Sequence, residues 1–155
     1  MVKQFEYYND IKKEAKAKRR MYYITLPIAT NFASAFGLCS SLETIGTINT
    51  PSVTSLSTTF NVCAKLKSII FTECSGVTNT TNTFNACPAL EEVIMPNLTR
   101  GVVLSTCSID TAELDAFFTS LGTASGSQTI TITGNPGAAT CDASIATGKG
   151  FTVTG

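Results

Sequence analysis

Six cysteines, at positions 39, 63, 74, 87, 107 and 141, are the residues of this chain best suited to chemistry. A thiolate is a nucleophile and a soft metal ligand. Neither role finds its usual partners here. The chain contains no histidine, so a thiol lacks the base that would activate it, and a zinc set lacks its commonest nitrogen ligand. None of Cys39, Cys63, Cys74, Cys87, Cys107 and Cys141 forms a C-x2-C pair, the spacing that marks zinc and redox sites. No metal and no cofactor are expected.

The carboxylates are few. Glu91 and Glu92 are adjacent in a stretch that reads as a strand, so they point to opposite faces and cannot work as an acid–base pair. Asp110, Glu113 and Asp115 fall on one short helical segment, where capping accounts for the first two. The glycines at 122, 126, 134 and 137 sit among turns, outside any G-x-G-x-x-G or P-loop frame. The reading is non-enzymatic. Asn79-Thr-Thr and Asn97-Leu-Thr match the N-glycosylation pattern, a short motif that means little without secretion.

Three of the cysteines obey a period. Phe36, Phe60 and Phe84 are evenly spaced, and Cys39, Cys63 and Cys87 keep the same spacing. Leu42, Leu66 and Leu90 follow, then Ile45, Ile69 and Val93. In the other half of the unit Val53 matches Val77, and Leu56 matches Thr80 less well. Phe32 and Phe36 fit the frame one unit earlier; Leu114 and Phe117 fit its Leu and Ile positions one unit later. A unit of about 24 residues cannot bury its apolar side alone, whereas stacked units share one continuous core. Strands repeated in register lie about 4.8 Å apart, so identical residues form internal ladders. LETIGTI, LKSIIF and LEEVIM are the expected strands of one parallel sheet. PSVTSLSTTF and SGVTNTTNTF, rich in Thr and Asn, form the opposite wall as irregular or short-helical turns.

The stacked cysteines come within disulfide range of one another, but three in a row cannot all pair. Free cysteine also behaves as a small buried hydrophobe. A reduced, buried ladder is expected, with Cys63→Ser costing roughly 1–3 kcal/mol if a hydroxyl is buried unpaired.

The pattern F-x2-C-x2-L-x2-I, a proline or polar turn, then V-x2-L-x3-F, resembles the BspA-type leucine-rich repeat over about residues 30–100. TITITGNPGAATCDASIATGKGFTVTG resembles a terminal coil of such repeats in bacterial surface proteins and phage structural proteins. The resemblance implies a β-rich repeat solenoid with a parallel sheet, an N-terminal helix and a C-terminal α/β cap. The Ser, Thr and Asn enrichment departs from the more regular members of that family.

Both ends of a solenoid expose an apolar face that must be covered. DTAELDAFFTSLG predicts a helix with Asp110 or Thr111 as N-cap, an apolar stripe of Leu114, Phe117, Phe118 and Leu121, and Gly122 at its end. SQTITITG reads as a strand, CDASIATGKG as a short helix and FTVTG as a last strand. At the other end Phe5, Tyr8, Ile11 and Ala15 recur at helical spacing, predicting a basic amphipathic helix over about 4–20. Residues 1–20 carry seven basic against three acidic side chains, while the whole chain has 11 of each sign. That segment either caps the first unit or attaches the module to a larger assembly, with Phe5, Tyr8, Ile11, Lys18, Arg19 and Arg20 as attachment residues. KKEAKAKRR could also attract nucleic acid or an anionic membrane, but acidic residues dilute the run, and no nucleic acid is expected.

The expected division is 1–21 as attachment segment, 22–108 as repeat units and 109–155 as capping unit. Charged residues make up only 14% of the chain, which suits a β-rich surface protein better than a cytosolic enzyme. No apolar run is long enough to span a bilayer, and the N-terminus lacks the pattern of a signal peptide. The expected role is a phage virion structural protein (decoration, head fibre or tail fibre) on the virion surface, in multiple copies. Its partners would be capsid or tail proteins at the N-terminus, with host surface protein or glycan on the repeats. The alternative is a bacterial cell-surface adhesin.

Overall fold

The computed structural model describes Lys13 and residues 20–25, 28–49 and 51–155. Four strands make one parallel sheet in the order β1-β2-β3-β4. They are β1 (Arg20–Thr25), β2 (Thr44–Asn49), β3 (Ser68–Phe71) and β4 (Glu92–Ile94). Helix α1 (Thr111–Ser120), strand β5 (Gln128–Thr131), helix α2 (Ser144–Thr147) and strand β6 (Phe151–Thr154) follow. The last two strands pair in parallel as a second, two-stranded sheet.

Register explains the sequence interval. Arg20 pairs with Thr44, Thr44 with Ser68, and Ser68 with Glu92. Each of these steps equals the spacing of the Phe and Cys rows; a bulge between Thr44 and Thr47 then sets the rest of β2 one residue out of step with β3, so that Thr47 pairs with Ile70 and Ile48 with Phe71. Ile45, Ile69 and Val93 therefore stack inward, as do Leu42, Leu66 and Leu90. The three expected strands are present. The fourth, β1, falls within MYYITLPI, where no strand was expected. Its signal was available, because Met21 and Ile24 stand one period before Ile45 and Ile48. Arg20, the last residue given to the expected basic helix, opens β1; apart from Lys13, the rest of that helix lies outside the described residues. The boundary placed between 21 and 22 therefore cuts a strand.

The opposite wall contains turns and no helix among the described residues. Its backbone is accounted for in two alternating sets. The N–H groups of Phe32, Ser34, Phe36 and Leu38 donate to the carbonyls of Ser55, Ser57, Thr59 and Asn61 at 2.8–2.9 Å. Leu56, Thr58, Phe60 and Val62 do the same to Asn79, Thr81, Thr83 and Asn85. Between these donors, Ala35, Gly37 and Cys39 bond back three residues within their own unit. This alternation bends the chain into the left-handed region at Ser34, Thr58 and Asn82, and again at Leu38, Val62 and Ala86. Both sets repeat with the period of the sheet. Leucine and valine ordinarily avoid this region, at a cost of about 1–2 kcal/mol each. The cross-unit N–H bonds hold them there.

Phenylalanine fills the space between the walls. Phe36, Phe60 and Phe84 stack with centroids 5.3 and 5.6 Å apart and planes 3° from parallel. Phe71 meets Phe60 edge-on at 6.4 Å. Behind the third unit the spacing contracts, so that Cys107 follows Cys87 by less than a full period. From there Leu104 and Thr106 donate to Thr131 and Thr133, which adds β5 to the wall.

Helix α1 packs against β4, burying Leu114, Phe117 and Phe118. Asp110 is its N-cap and accepts from the Glu113 N–H at 3.0 Å, as expected. Its C-terminus differs from expectation. The cap is Leu121 in extended conformation, and Gly122 does not take a left-handed turn. A Cβ at Gly122 would lie 2.9 Å from the Asn97 carbonyl, so the glycine serves close approach. The helix end is satisfied from far away in sequence: Lys149 donates to the carbonyls of Phe118, Thr119 and Leu121 at 3.0, 2.6 and 2.7 Å, where a cation also suits the helix dipole. Asn135, buried, ties the junction by donating to Leu104 and Ile132 and accepting from the Ile109 N–H.

Gly101 marks the closest approach of the β5 backbone. A Cβ there would stand 2.2 Å from the Thr129 carbonyl oxygen. Gly101→Ala should therefore separate β5 from the wall and lower stability by about 1–3 kcal/mol, the usual cost of overpacking. Urea denaturation checks this; an unchanged midpoint would mean the approach is not tight.

Candidate interaction face

The expected core ladder is buried throughout: Phe36, Cys39, Leu42, Ile45, Phe60, Cys63, Leu66, Ile69, Phe84, Cys87, Leu90 and Val93. Its cysteines are free thiols. Cys63 Sγ donates to the Phe36 carbonyl, and Cys87 Sγ to the Phe60 carbonyl, both at 3.1 Å. Burial, reinforced by the thiols of Cys87 and Cys39, pushes the Cys63 pKa far above its ordinary range. Burial raises Cys87 to about 11 and Cys107 to about 12. Thiols held protonated this firmly are poor nucleophiles.

The attachment residues cannot be assembled into a site. Phe5, Tyr8, Ile11, Lys18 and Arg19 lie outside the described residues. Arg20 is exposed at the start of β1.

Two surfaces are left. The sheet side carries the charges. Lys67 and Glu91 form an ion pair at 3.1 Å, both more than half exposed, which contributes little to stability. Ser68 donates to Glu92. These residues, with Ser108, Asp110 and Glu113, line an open groove of about 390 Å³. Partial burial, with Glu92 and Asp110 nearby, raises the Glu113 pKa. Past the other end of β3, Glu73 accepts from the N–H groups of Cys74 and Ser75 and from the Asn97 amide. Desolvation opposes the charge on Glu73, but these hydrogen bonds outweigh it and lower its pKa. Among the described residues no group of three or more His, Cys, Asp or Glu side chains could hold a metal.

The turn wall is the opposite in character. Residues 28–42, 51–64 and 74–90 contain no charged side chain. Their polar side chains bond from unit to unit at the same interval as the backbone. Thr54 donates to the Thr30 carbonyl at 3.0 Å, and Thr78 to the Thr54 carbonyl at 3.2 Å. Ser34 and Thr58 share a hydrogen bond of 2.7 Å. Asn85 donates to Asn61 at 2.9 Å. Asn31 and Asn79 each accept the N–H two residues ahead, at 2.9 and 3.0 Å. These hydrogen bonds hold the named side chains in place. Leu38, 63% exposed, borders it. The composition of PSVTSLSTTF and SGVTNTTNTF signals a polar wall; the hydrogen bonds between equivalent side chains, Ser34 with Thr58 and Asn61 with Asn85, have no signal in composition.

Comparison with known protein families, with curated proteins and with solved structures finds no match.

Two outcomes are expected at the thiols. A Ser hydroxyl at position 63 would inherit the Phe36 carbonyl as acceptor, so Cys63→Ser should cost only about 1 kcal/mol, the low end for a buried hydroxyl. Chemical denaturation measures it, and a loss several times larger would mean that the hydroxyl does not reach that carbonyl. The second outcome concerns pH. Cys87 rises from 9.0 to about 11 on folding, so the folded state holds its proton where the unfolded state has lost it. The contribution is complete below pH 9.0 and falls as pH climbs to about 11. The melting temperature should decline over that interval, and less steeply in Cys87→Ala. Equal slopes in the two proteins would refute the assignment.

Proposed function

We propose that this chain is a non-enzymatic display module: a leucine-rich-repeat-like solenoid of the BspA type, attached by its basic N-terminal segment and presenting its turn wall outward. The observation that supports this reading is the offset that Arg20–Thr44, Thr44–Ser68 and Ser68–Glu92 share with the turn-wall bridges Asn31–Ser55 and Ser55–Asn79, interrupted in the sheet by one bulge between Thr44 and Thr47. Two ladders with one offset on opposite sides of a shared core make a rigid stack, which suits presentation. Residues 109–155 would then close the far end.

The setting proposed is a phage virion, where the chain serves as a decoration protein, head fibre or tail fibre. Support comes from the resemblance of residues 129–155 to terminal units of phage structural proteins and from the concentration of basic charge in residues 1–20. A bacterial cell-surface adhesin is the alternative, because the repeat suits both settings. In either one many weak contacts on the wall add by avidity. No helix among the described residues is long and apolar enough to cross a membrane.

Deleting residues 1–19 leaves β1 intact and should leave the melting temperature within a few degrees of the full chain. The full chain should copurify with virus particles, and the truncated one should not. Finding the full chain in the host envelope fraction instead would favour the adhesin. Unfolding of the truncated chain would make the segment a cap.

A further inference from the structure

We propose that the uncharged turn wall binds a neutral linear polysaccharide, laid along the direction in which the units stack. This rests on the display reading and names the class of ligand displayed to.

Charge decides the class first. A face with no cation in any of its three units offers nothing to phosphate or sulfate, so nucleic acids and acidic glycans gain no attraction there. A basic partner gains none either. What remains is recognition by hydrogen bonds and apolar contact.

The hydrogen-bonding groups have the right polarity. The hydroxyls of Thr54 and Thr78 donate inward to carbonyls, which leaves their lone pairs to accept from outside. The Oδ1 atoms of Asn31 and Asn79 are engaged by backbone N–H groups, which turns their amide N–H2 groups toward a ligand as donors. A sugar hydroxyl both donates and accepts, and it meets both kinds of group here. Thr54 and Thr78 are held by bonds to the preceding unit and Asn31 and Asn79 by bonds within their own, so little side-chain entropy remains for these groups to lose on binding.

The repeat sets the ligand's form. Equivalent groups recur once per unit, Thr30 to Thr54 to Thr78, so a ligand with its own repeated hydroxyls can be held at several points at once. Leu38, Val62 and Ala86 recur in the same way on the turn wall. They keep apolar side chains at left-handed positions where asparagine or glycine would be less strained. Exposed Leu38 can meet the C–H face of a sugar ring.

The test uses the full chain and affinity electrophoresis in neutral polymers (glucan, mannan, galactan) and charged ones (polygalacturonate, chitosan), at low and about 1 M salt. Retention by at least one neutral polymer, indifferent to salt, is expected. The double variant Thr81→Glu, Asn82→Asp puts charge on exposed positions and should weaken retention about tenfold or more. Thr54→Val, which removes a hydroxyl but keeps the side-chain shape, should weaken it as well, and it serves if the double variant fails to fold. Lys65→Glu, exposed beyond the uncharged stretch, should leave retention unchanged. Retention by no neutral polymer, or a salt-sensitive retention by charged polymers alone, overturns the proposal. Presence on particles without retention would remove the polysaccharide and keep the display reading. Retention without particles would do the reverse.

Discussion

The hydrogen bond from one backbone segment to its counterpart one period later is the constraint on which the rest depends. It recurs in the sheet, where Ser68 pairs with Glu92, and in the turn wall, where the Phe60 N–H donates to Thr83. Tying both walls at a common offset restricts side-chain register, so that ladder residues meet their equivalents one period later; past the bulge between Thr44 and Thr47, Ile48 instead faces Phe71. A large aromatic must stack on an aromatic, as Phe36, Phe60 and Phe84 do, and a small thiol must lie over a small thiol. The same bonds override local preference: Val62 sits in the left-handed region because its N–H is needed across the wall.

This dependence explains what could be read from the sequence. Buried ladder positions are legible, since a size mismatch in one unit would disturb the next, and their residues recur almost unchanged. The strands at LKSIIF and LEEVIM and the helix start at Asp110 followed from pattern and capping chemistry alone. β1 was hidden because its unit lacks the Phe and Cys markers and keeps only Met21 and Ile24 in frame. The Lys149 contacts to the end of α1 were hidden for another reason. They join residues 28 to 31 apart, beyond the contraction of the period after Cys87, where no interval predicts who meets whom. Asn135 is similar: a buried amide that answers three backbone groups has no periodic signature.

The thiols show how a residue chosen for reactivity becomes a packing element. Cys39, Cys63 and Cys87 are buried together with the Phe and Leu of their own units. The thiols of Cys63 and Cys87 also offer a weak donor to a carbonyl of the preceding unit. Alanine would leave the carbonyl without that donor, and serine would bring a stronger dipole into the core. Burial and one hydrogen bond give these thiols a packing role.

Charge follows the same partition between walls. On the sheet side, Lys67 and Glu91 stand at equivalent positions in neighbouring units with opposite signs. Stacking makes this arrangement necessary, since like charges at adjacent positions would repel at every step. The turn wall avoids the problem by carrying no charge at all, and it pairs hydroxyls and amides instead. Neutral side chains can repeat identically from unit to unit, whereas charges must alternate. Among the described residues the uncharged wall can thus repeat a group from unit to unit without repulsion, as the Thr30, Thr54 and Thr78 row does, and a ligand that is itself a repeat suits such a row.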